Sequence, residues 1–394
     1  MTVVIEIGKE TGTHTAKSVN SQSGFSVLSL FTGAGGLDLG FERAGFRHLT
    51  AVEIDPWCFE TLGRNRPDWR VTHGDVRKYE PDFSEVPDVL LAGFPCQGFS
   101  LGGNRDEEDE RNLLYKEVIR IAKLVEPKII LLENVLNLRT MYFPGTQKPF
   151  AEQIADELRS IGYDVTYDVF RVSKFGVPQT RRRFVFVAFR GNPPAGYHFP
   201  HPGAETPIRP VLYDLAQDSS IILPNHNPAW GFRSAVHTES AEPYSPSEIV
   251  VPVRLSRTAS DGNPIRSFDE PFPAVDTATV WGWAQGNVKA QRVMKDRARE
   301  KYIRNPEANV TLWRVSASRL RSFTHREYAR LQTFPDDWIF HGDSKRDVQL
   351  QIGNAVPVRF SECLAQNLRR ALEALDLGSE FRDERPNGVQ RKLF

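Results

Sequence analysis

The stretch Ser26 to Ala44 reads SVLSLFTGAGGLDLGFERA: a short apolar run, a glycine-rich turn and then a helical pattern of apolar residues. Such a turn between a buried strand and a helix lets the backbone approach a ligand closely, and it presents the N-terminus of the helix to that ligand. Dinucleotide-binding turns have the spacing G-x-G-x-x-G, but the count from Gly33 puts Asp38 where the third glycine should stand. The stretch therefore predicts an α/β fold with a ligand at this turn, and its spacing disfavours a Rossmann dehydrogenase.

Apolar runs and helical patterns alternate from Phe25 to about residue 190. The predicted strands are Ser26 to Leu30, His48 to Ile54, Trp69 to Thr72, Val89 to Ala92, Ile129 to Glu133, Val165 to Val172 and Arg183 to Ala188. The predicted helices include Leu37 to Ala44, Arg111 to Val125 and Phe150 to Ile161, and later Thr324 to Gln332, which begins with a capping-box pattern, and Ser361 to Leu375. Strands that alternate with helices predict an α/β domain whose mainly parallel sheet is covered by helices on both faces.

The composition of the 394-residue chain excludes several classes of protein. Its 50 basic and 50 acidic residues cancel, so a nucleic-acid-binding face has to be a local patch rather than a basic surface overall. The three cysteines are far apart, and neither they nor the nine histidines form a pattern of metal ligands or a disulfide framework. No apolar run is long enough to span a bilayer and the N-terminus lacks a signal-peptide pattern, so we expect a cytoplasmic protein that uses neither membrane nor metal.

A cysteine motif follows the predicted strand Val89 to Ala92. The segment Gly93 to Ser100 reads GFPCQGFS, and it places Cys96 in a turn at a strand end, where ligands and chemistry are found in open α/β sheets. A lone cysteine is more often a small buried hydrophobic residue, so the motif needs support from the rest of the chain. That support comes from ENV (Glu133 to Val135), QTRRR (Gln179 to Arg183), RLRSFTHREYARLQTFPDDW (Arg319 to Trp338) and QIGNAVP (Gln351 to Pro357).

Together these motifs resemble, in the same order along the chain, those of the DNA cytosine-5 methyltransferases. The resemblance extends from about Phe25 to Leu375 and implies a Rossmann-like domain that uses S-adenosyl-L-methionine as its cofactor. The chain departs from the family pattern at Phe323, where the family has leucine, and in the loop Gln97 to Asn112, which is slightly shorter. The resemblance implies that the chain transfers a methyl group to C5 of a cytosine within a short, specific sequence of double-stranded DNA.

The resemblance implies a catalytic role for four residues: Cys96, Glu133, Arg181 and Arg183. The Cys96 thiolate would attack C6 of a cytosine that is flipped out of the duplex, which divides one difficult reaction into two easier steps. Glu133 would hold a proton near N3 of the base, since burial among apolar neighbours raises the pKa of a carboxyl group. Arg181 and Arg183 would hold O2 of the base and a nearby phosphate. The sequence does not identify the base that removes the C5 proton.

The resemblance also implies which residues bind the cofactor. Glu53, at the end of the second strand, is expected to accept hydrogen bonds from the ribose hydroxyls, and Asp75 from the adenine amino group. The other expected contacts are Phe31, Gly33, Ala34, Gly36, Ile54, Val76, Gly93, Pro95, Leu114, Asn354 and Ala355. Asn134 is expected to position the backbone around Pro95, and for Gln179 the alternative to a functional role is a cap on a turn.

The division into domains follows from the motifs and from a change of composition near residue 191. We expect a flexible arm at 1–24, a catalytic and cofactor-binding domain at 25–190, a smaller, irregular target-recognition domain at 191–318, a return to the catalytic domain at 319–375 and a charged tail at 376–394. Within the target-recognition region, the basic stretch Lys289 to Arg304 is either a solvated helix or a surface that contacts the phosphate backbone. Thr277 is expected to contact DNA.

Three functions stay open on this evidence. The leading one is a DNA cytosine-5 methyltransferase of the prokaryotic restriction-modification type, a monomer that is paired functionally with a restriction endonuclease. The alternatives are a transfer-RNA cytosine-5 methyltransferase of the same fold and a catalytically silent DNA-binding relative. The sizeable middle region favours DNA, because reading base edges needs a dedicated surface. The presence of Cys96, Glu133 and Arg183 disfavours the silent relative.

Overall fold

The computed structural model of the protein describes residues 24–82, 85–95, 113–228, 251–254, 266–277, 280–285, 289–294, 311–317 and 319–382. Several sequence-based predictions fall outside these ranges. They concern Cys96, the loop Gln97 to Asn112, the N-terminal arm up to residue 23, the basic stretch beyond residue 294 and the tail from residue 383.

A seven-stranded sheet forms the centre of the molecule. Its strands are β1 (Ser26–Leu30), β2 (Arg47–Glu53), β3 (Val71–His73), β4 (Val89–Ala92), β5 (Ile129–Val135), β6 (Tyr163–Arg171) and β7 (Arg182–Arg190). They lie in the order β3-β2-β1-β4-β5-β7-β6, and all neighbours from β3 to β5 are parallel. Strand β7 runs antiparallel to both β5 and β6. The predicted mainly parallel α/β sheet is therefore confirmed.

The direction of β7 has a simple cause in the length of its connection to β6. Only residues 172–181 separate the two strands, and they contain a single turn of 3-10 helix, Val172–Phe175. A parallel neighbour needs a crossover of a dozen or more residues, usually through a helix, whereas an antiparallel neighbour does not. The short connection thus turns the chain back, and the start of β7 comes to lie beside the end of β5.

Eight helices are present in the described ranges: α1 (Gly36–Arg43), α2 (Pro56–Asn65), α3 (Tyr115–Val125), α4 (Phe150–Ser160), α5 (Arg209–Gln217), α6 (His325–Leu331), α7 (Lys345–Asn354) and α8 (Val358–Leu377). Apolar residues of α3 and α4 share one core with Leu28 and Leu30 of β1. Apolar residues of α1 and α8 share another with Val27 on the opposite face of the same strand. Since both faces are covered, the inner strands are continuously apolar, as the sequence of β4 (VLLA) shows.

Helix α2 was not predicted, although the sequence at its start carries a clear signal. Asp55 caps this helix, because its Oδ1 accepts hydrogen bonds from the backbone N–H groups of Trp57 and Cys58, both at 2.9 Å. Pro56 takes the first helical position, where the missing N–H has no partner to lose. Aspartate followed by proline is a helix-start signature, so the sequence DPW predicts this helix once it is recognised.

The region after residue 191 is less irregular than its composition predicts. It contains α5 and the strands β8 (Val251–Arg254), β9 (Trp281–Gln285), β10 (Lys289–Met294) and β11 (Thr311–Ser316), and β12 (Arg319–Ser322) follows directly. These form an antiparallel sheet, β12-β9-β8, and an antiparallel pair, β10-β11. The helical interpretation of the basic stretch is wrong for Lys289–Met294, because backbone pairing with β11 makes it a strand.

A buried ion pair joins the small sheet to α6. Glu327 accepts from both terminal nitrogens of Arg321, at 2.7 and 2.9 Å, and from the indole N–H of Trp283 at 2.7 Å. Glu327 also completes the capping box with Thr324, which confirms the capping-box prediction. Because both charged side chains are almost completely buried, each depends on the other for compensation.

We predict that Arg321→Ala lowers the free energy of unfolding by about 3–5 kcal/mol, because it leaves the buried carboxylate of Glu327 without a cation. The matched control is Arg190→Ala, which removes an exposed ion pair with Glu126 and should cost about 1 kcal/mol or less. Urea unfolding of the two variants beside the parent protein measures both changes. Equal losses in the two variants would contradict the importance of the buried pair.

Candidate active site

A cavity of about 220 Å³ opens at the carboxyl ends of the parallel strands. Phe31 follows β1, Glu53 ends β2, Gly93 follows β4 and Glu133 lies near the end of β5, and all four line the cavity. The strand order reverses at β1, with β2 on one side of it and β4 on the other. Such a reversal is where open α/β sheets bind their ligands, so the fold itself explains the position of the cavity.

The glycine-rich turn after β1 forms one wall. Gly33 and Gly35 have φ values of 58° and 82°, in the left-handed region that glycine adopts without strain. Phe31 also has a positive φ of 58°, which is uncommon for a residue with a side chain. A Cβ on Gly36 would lie 2.2 Å from the carbonyl oxygen of Val356, so only glycine permits this approach. The turn thereby contacts the QIGNAVP motif from the opposite end of the chain.

Eight of the thirteen predicted cofactor residues line this cavity: Phe31, Gly33, Ala34, Gly36, Glu53, Gly93, Asn354 and Ala355. The carboxylate of Glu53 accepts from the backbone N–H of Gly33 at 2.6 Å and from that of Asp55 at 2.7 Å. These bonds fix the carboxylate between the glycine turn and the start of α2. Burial raises the pKa of Glu53, although the two N–H groups act in the opposite direction. Its expected role at the ribose stays a prediction.

The other five predicted residues, Ile54, Asp75, Val76, Pro95 and Leu114, are absent from the described cavity wall. The carboxylate of Asp75 caps the turn Val76–Lys78 and forms an ion pair with Arg77, with Oδ2 and Nη2 2.6 Å apart. That guanidinium holds the pKa of Asp75 below its usual range. The side chain of Val76 is buried in the core shared with α3, whereas Ile54 is 59% exposed. The roles of these residues at the adenine stay predictions.

The antiparallel pairing of β5 with β7 brings Glu133 and Arg183 together. Arg183 Nε forms an ion pair with Glu133 Oε1, and both side chains are more than nine-tenths buried. Burial raises the pKa of Glu133, and the charge of Arg183 offsets this only in part. A buried carboxyl group whose pKa is raised, beside a fixed cation, can share a proton with a bound base.

Asn134 connects this pair to the cysteine motif. Its Nδ2 donates to the carbonyl oxygen of Phe94 at 3.1 Å, and its Oδ1 accepts from the N–H of Val135 at 2.8 Å. The expected role of Asn134 in positioning the backbone before Pro95 is therefore confirmed. Cys96 follows Pro95 directly, although its own placement lies outside the described residues. Phe94, two residues before the cysteine, is thus anchored to the strand that carries Glu133.

Arg181 and Gln179 contact other parts of the protein. The Nη1 atom of Arg181 donates to the carbonyl oxygens of Val275, at 2.6 Å, and Gly353, at 2.7 Å. Gln179 is fully buried; it accepts from the N–H of Val275 and donates to Gln332 Oε1 at 2.9 Å. Gln179 therefore joins three segments rather than capping a single turn. Arg183 therefore pairs with Glu133, whereas Arg181 joins the middle region, through Val275, to α7.

Several cavity residues were not identified from the sequence. They are Ser29, Thr32, Leu37, Asp38, Asp55, Trp57, Cys58, Asp347, Leu350, Gln351 and Val356. The signal for Asp55 and its neighbours was the helix start at Pro56. Asp38 carried no such signal, because its burial depends on packing against β1 and β2. Among the residues that the structure describes, no group of side chains is arranged to hold a metal ion, and no helix is long and apolar enough to cross a membrane.

Comparison with known sequences identifies the family. The family model for C-5 cytosine-specific DNA methylase matches residues 25–370. The chain therefore belongs to the C-5 cytosine-specific DNA methylase family, and its enzyme class is DNA (cytosine-5-)-methyltransferase. This confirms the resemblance that the motifs carry.

Characterised relatives match over most of the chain. The type II methyltransferase M.NgoMIV of Neisseria gonorrhoeae is 31% identical over 89% of this chain and 98% of its own length. M.Eco47II of Escherichia coli is 31% identical over 90% of this chain and 81% of its own length. The relatives are thus of the restriction-modification type, as the sequence predicts.

Solved structures share the fold. A protein encoded within an Escherichia coli prophage superposes with a TM-score of 0.58 at 22% identity, covering 89% of this chain and 99% of its own. A Spodoptera frugiperda DNMT2 mutant superposes with a TM-score of 0.55 at 17% identity, covering 87% and 99%. At these identities the likeness concerns the fold, and it agrees with the Rossmann-like α/β architecture described above.

We predict that Gly36→Ala destabilises the protein by about 1–3 kcal/mol, because the new methyl group would overlap the carbonyl of Val356. It should also weaken ligand binding at the glycine turn. The control is Gly63→Ala in α2, where nothing lies within 4 Å of the added Cβ and helix propensity should gain up to about 1 kcal/mol. Thermal unfolding of both variants tests the pair. If Gly36→Ala were as stable as the parent protein, the glycine turn and the segment around Val356 would be able to move apart at little cost.

Proposed function

We propose that the protein binds S-adenosyl-L-methionine in the cavity beside the glycine turn and methylates C5 of a cytosine within a short, specific sequence of double-stranded DNA. We further propose that this methylation protects DNA from a cognate restriction endonuclease, as the type II relatives suggest. The observation that carries the proposal is the buried Glu133–Arg183 pair, which lies at the same strand ends as the cavity and next to the cysteine motif.

The residues of the cavity fit this cofactor. The glycine turn gives close access to backbone, Glu53 offers a fixed carboxylate for ribose hydroxyls, and Asn354 and Ala355 close the opposite side. When bound, the cofactor supplies an electrophilic methyl group carried on a positively charged sulfur. The protein's own residues then have to hold the cytosine, activate it and manage its protons.

The chemistry at the base is assigned to Cys96, Glu133 and Arg183. The Cys96 thiolate would add to C6 and form a sulfur–carbon bond. Glu133 would donate a proton to N3, which neutralises the negative charge that the addition places on the ring. C5 thereby becomes nucleophilic. After methylation, loss of the C5 proton to a base restores the C5–C6 double bond and expels the thiolate, and N3 returns its proton to Glu133. Arg183, fixed beside Glu133, would hold O2 of the base and help to keep the thiolate ionised.

The region 191–318 is proposed to read the DNA sequence, since flipping and reading a duplex cytosine need a surface beyond the methyl-transfer site. Its basic strand β10 and the residue Thr277 are candidates for contacts with the phosphate backbone or the base edges. A monomer suffices for this reaction, because the proposed residues all come from one chain.

We predict that the expressed chain methylates cytosines only within one short recurring DNA sequence. Bisulfite sequencing of total DNA from a bacterial host that lacks cytosine methylation measures this and identifies the target. Cys96→Ala is the matched control and should leave every site unmethylated, because the nucleophile is missing. Methylation of host transfer RNA instead of DNA would favour the alternative substrate. Folded protein without methylation of either nucleic acid would favour a silent DNA-binding relative.

We predict that Glu133→Gln slows methyl transfer about a hundredfold or more while cofactor affinity changes little, because the amide cannot supply the proton at N3. Since burial raises the pKa of Glu133, the activity of the parent enzyme should fall as pH rises through that pKa. The activity of Glu133→Gln should not show this decrease. Single-turnover rates across pH and cofactor titrations measure the two effects. Glu126→Gln, an exposed carboxylate, is the control. Equal losses in rate and affinity would show that Glu133 is misplaced.

A further inference from the structure

The wall of the cofactor cavity carries an unusual charge. Five acidic residues are among those that line it: Asp38, Glu53, Asp55, Glu133 and Asp347. Among the lining residues that the structure describes, none is lysine, arginine or histidine. A partly enclosed cleft lined by charge of one sign concentrates ligands of the opposite sign. The cavity is therefore built to favour a cation.

Four of these carboxylates are compensated by the protein. Glu53 accepts two backbone N–H groups, and Asp55 caps α2. Glu133 pairs with Arg183, and Asp347 belongs to the capping box at the start of α7. These four carboxylates are already paired or hydrogen-bonded within the protein, so they contribute less to the recognition of a ligand.

Asp38 differs from the other four. It is completely buried in the first turn of α1, and neither carboxylate oxygen accepts a well-formed hydrogen bond from a described residue. The hydroxyl of Ser29, on β1, is near enough to compensate only part of the burial, and the carboxylates of Glu42 and Glu53 add repulsion. A buried carboxylate of this kind is costly to ionise unless a cation is present.

The neighbouring imidazole does not supply that cation. His48 Nε2 lies 3.3 Å from the carbonyl oxygen of Asp38 and therefore has to be the protonated nitrogen, whereas Nδ1 lies 3.7 Å from Asp38 Oδ1. The ring stacks on Trp69 at 3.9 Å, and burial together with the charge of Arg66 lowers the pKa of His48 to about 4. A neutral imidazole then presents an acceptor to Asp38, so the ligand-free pair is compatible with a protonated carboxyl group.

We propose that Asp38 is the residue by which the cavity distinguishes the cationic methyl donor from its neutral product. The inference rests on the proposed function, because it assumes that the cavity holds S-adenosylmethionine. The donor carries a positive sulfur, whereas S-adenosylhomocysteine has a neutral thioether and is otherwise nearly the same molecule. Donor binding would favour ionised Asp38 and release its proton to solvent. Once the methyl group has been transferred, this attraction is lost and the product leaves more readily.

The pH dependence of this preference has a definite sign. Burial raises the pKa of Asp38 to about 7, so the group is mainly protonated below neutrality and mainly ionised above it. The preference for the donor over the product should therefore increase with pH. The shared amino-acid portion of the two ligands titrates in both, and its effect cancels in the ratio of their dissociation constants.

The raised pKa of Asp38 also means that an uncharged variant at this position should be stable enough to test. In the unfolded chain an aspartate has a pKa of about 3.9, so the folded state, in which the pKa is raised, loses stability as pH rises from that value through neutrality. Asparagine has the same shape and no charge. Asp38→Asn should consequently fold and should unfold at a temperature no lower than the parent protein at pH 8.

The experiment measures dissociation constants of S-adenosylmethionine, S-adenosylhomocysteine and sinefungin, in which an amine replaces the sulfonium, by calorimetry at pH 6 and pH 8. At pH 8, Asp38→Asn should reduce the preference for the two charged ligands over S-adenosylhomocysteine by about tenfold, as expected for the loss of one nearby charge. In the parent protein the preference for S-adenosylmethionine should rise about fivefold from pH 6 to pH 8, and in Asp38→Asn it should be flat.

Asp156→Asn is the control for net charge, because it removes an exposed carboxylate of α4 and should leave the ratio unchanged. If the parent protein binds none of the three ligands, the proposed function fails and this inference fails with it. If all three bind and Asp38→Asn has the parent ratio, the role of Asp38 is wrong while the proposed function stands. Should Asp38→Asn not fold, a pH-independent ratio in the parent protein would overturn the inference, and a rising one would support it.

Discussion

The contact between Gly36 and the carbonyl of Val356 is the constraint on which the active site depends. It holds the glycine-rich turn after β1 against the QIGNAVP motif, so that one cavity has walls from both. Helix α8 continues from this contact and packs along α1, where Ser361 donates a hydrogen bond to the carbonyl of Leu37. The cavity is therefore a product of tertiary closure, although one of its walls comes from a local strand–turn–helix unit.

A second set of contacts connects the middle region to that closure. Gln179 and Arg181 hold the backbone of Val275, and Gln332 donates to the carbonyl of Ile352 in α7 at 2.7 Å. These amide and guanidinium groups are buried, and each hydrogen bond satisfies backbone that would otherwise be costly to bury. The segment that precedes Thr277 is thus fixed to α7, the same helix that borders the cavity.

The sequence predicted most of the central sheet, because strands buried on both faces are continuously apolar; β4 was predicted with its observed bounds. The antiparallel direction of β7 was not predicted, since the apolar pattern of a strand does not carry its direction, which depends on the length of the connection from β6. Strands such as β10, with the mixed sequence KAQRVM, carry no clear alternation of apolar and polar residues, so the sequence gives little sign of the pairing of β10 with β11. Motif resemblance found Glu133 and Arg183, which the structure pairs. Asp38 could not be found in this way, because its environment is made by residues of β1 and β2, and by Trp69 stacked on His48, which are distant from it in the sequence pattern.

The return of α8 to α1 also has a consequence for the order in which the protein can fold. Leu37 and Ser361 are separated by more than three hundred residues, so the chain has to emerge from the ribosome beyond Ser361 before the cavity can close. Contacts of such high sequence separation slow folding, since a long loop is ordered before the contact is gained. The glycine turn of the nascent enzyme would therefore stay exposed, and methylation could begin only after the segment around Ser361 had been synthesised.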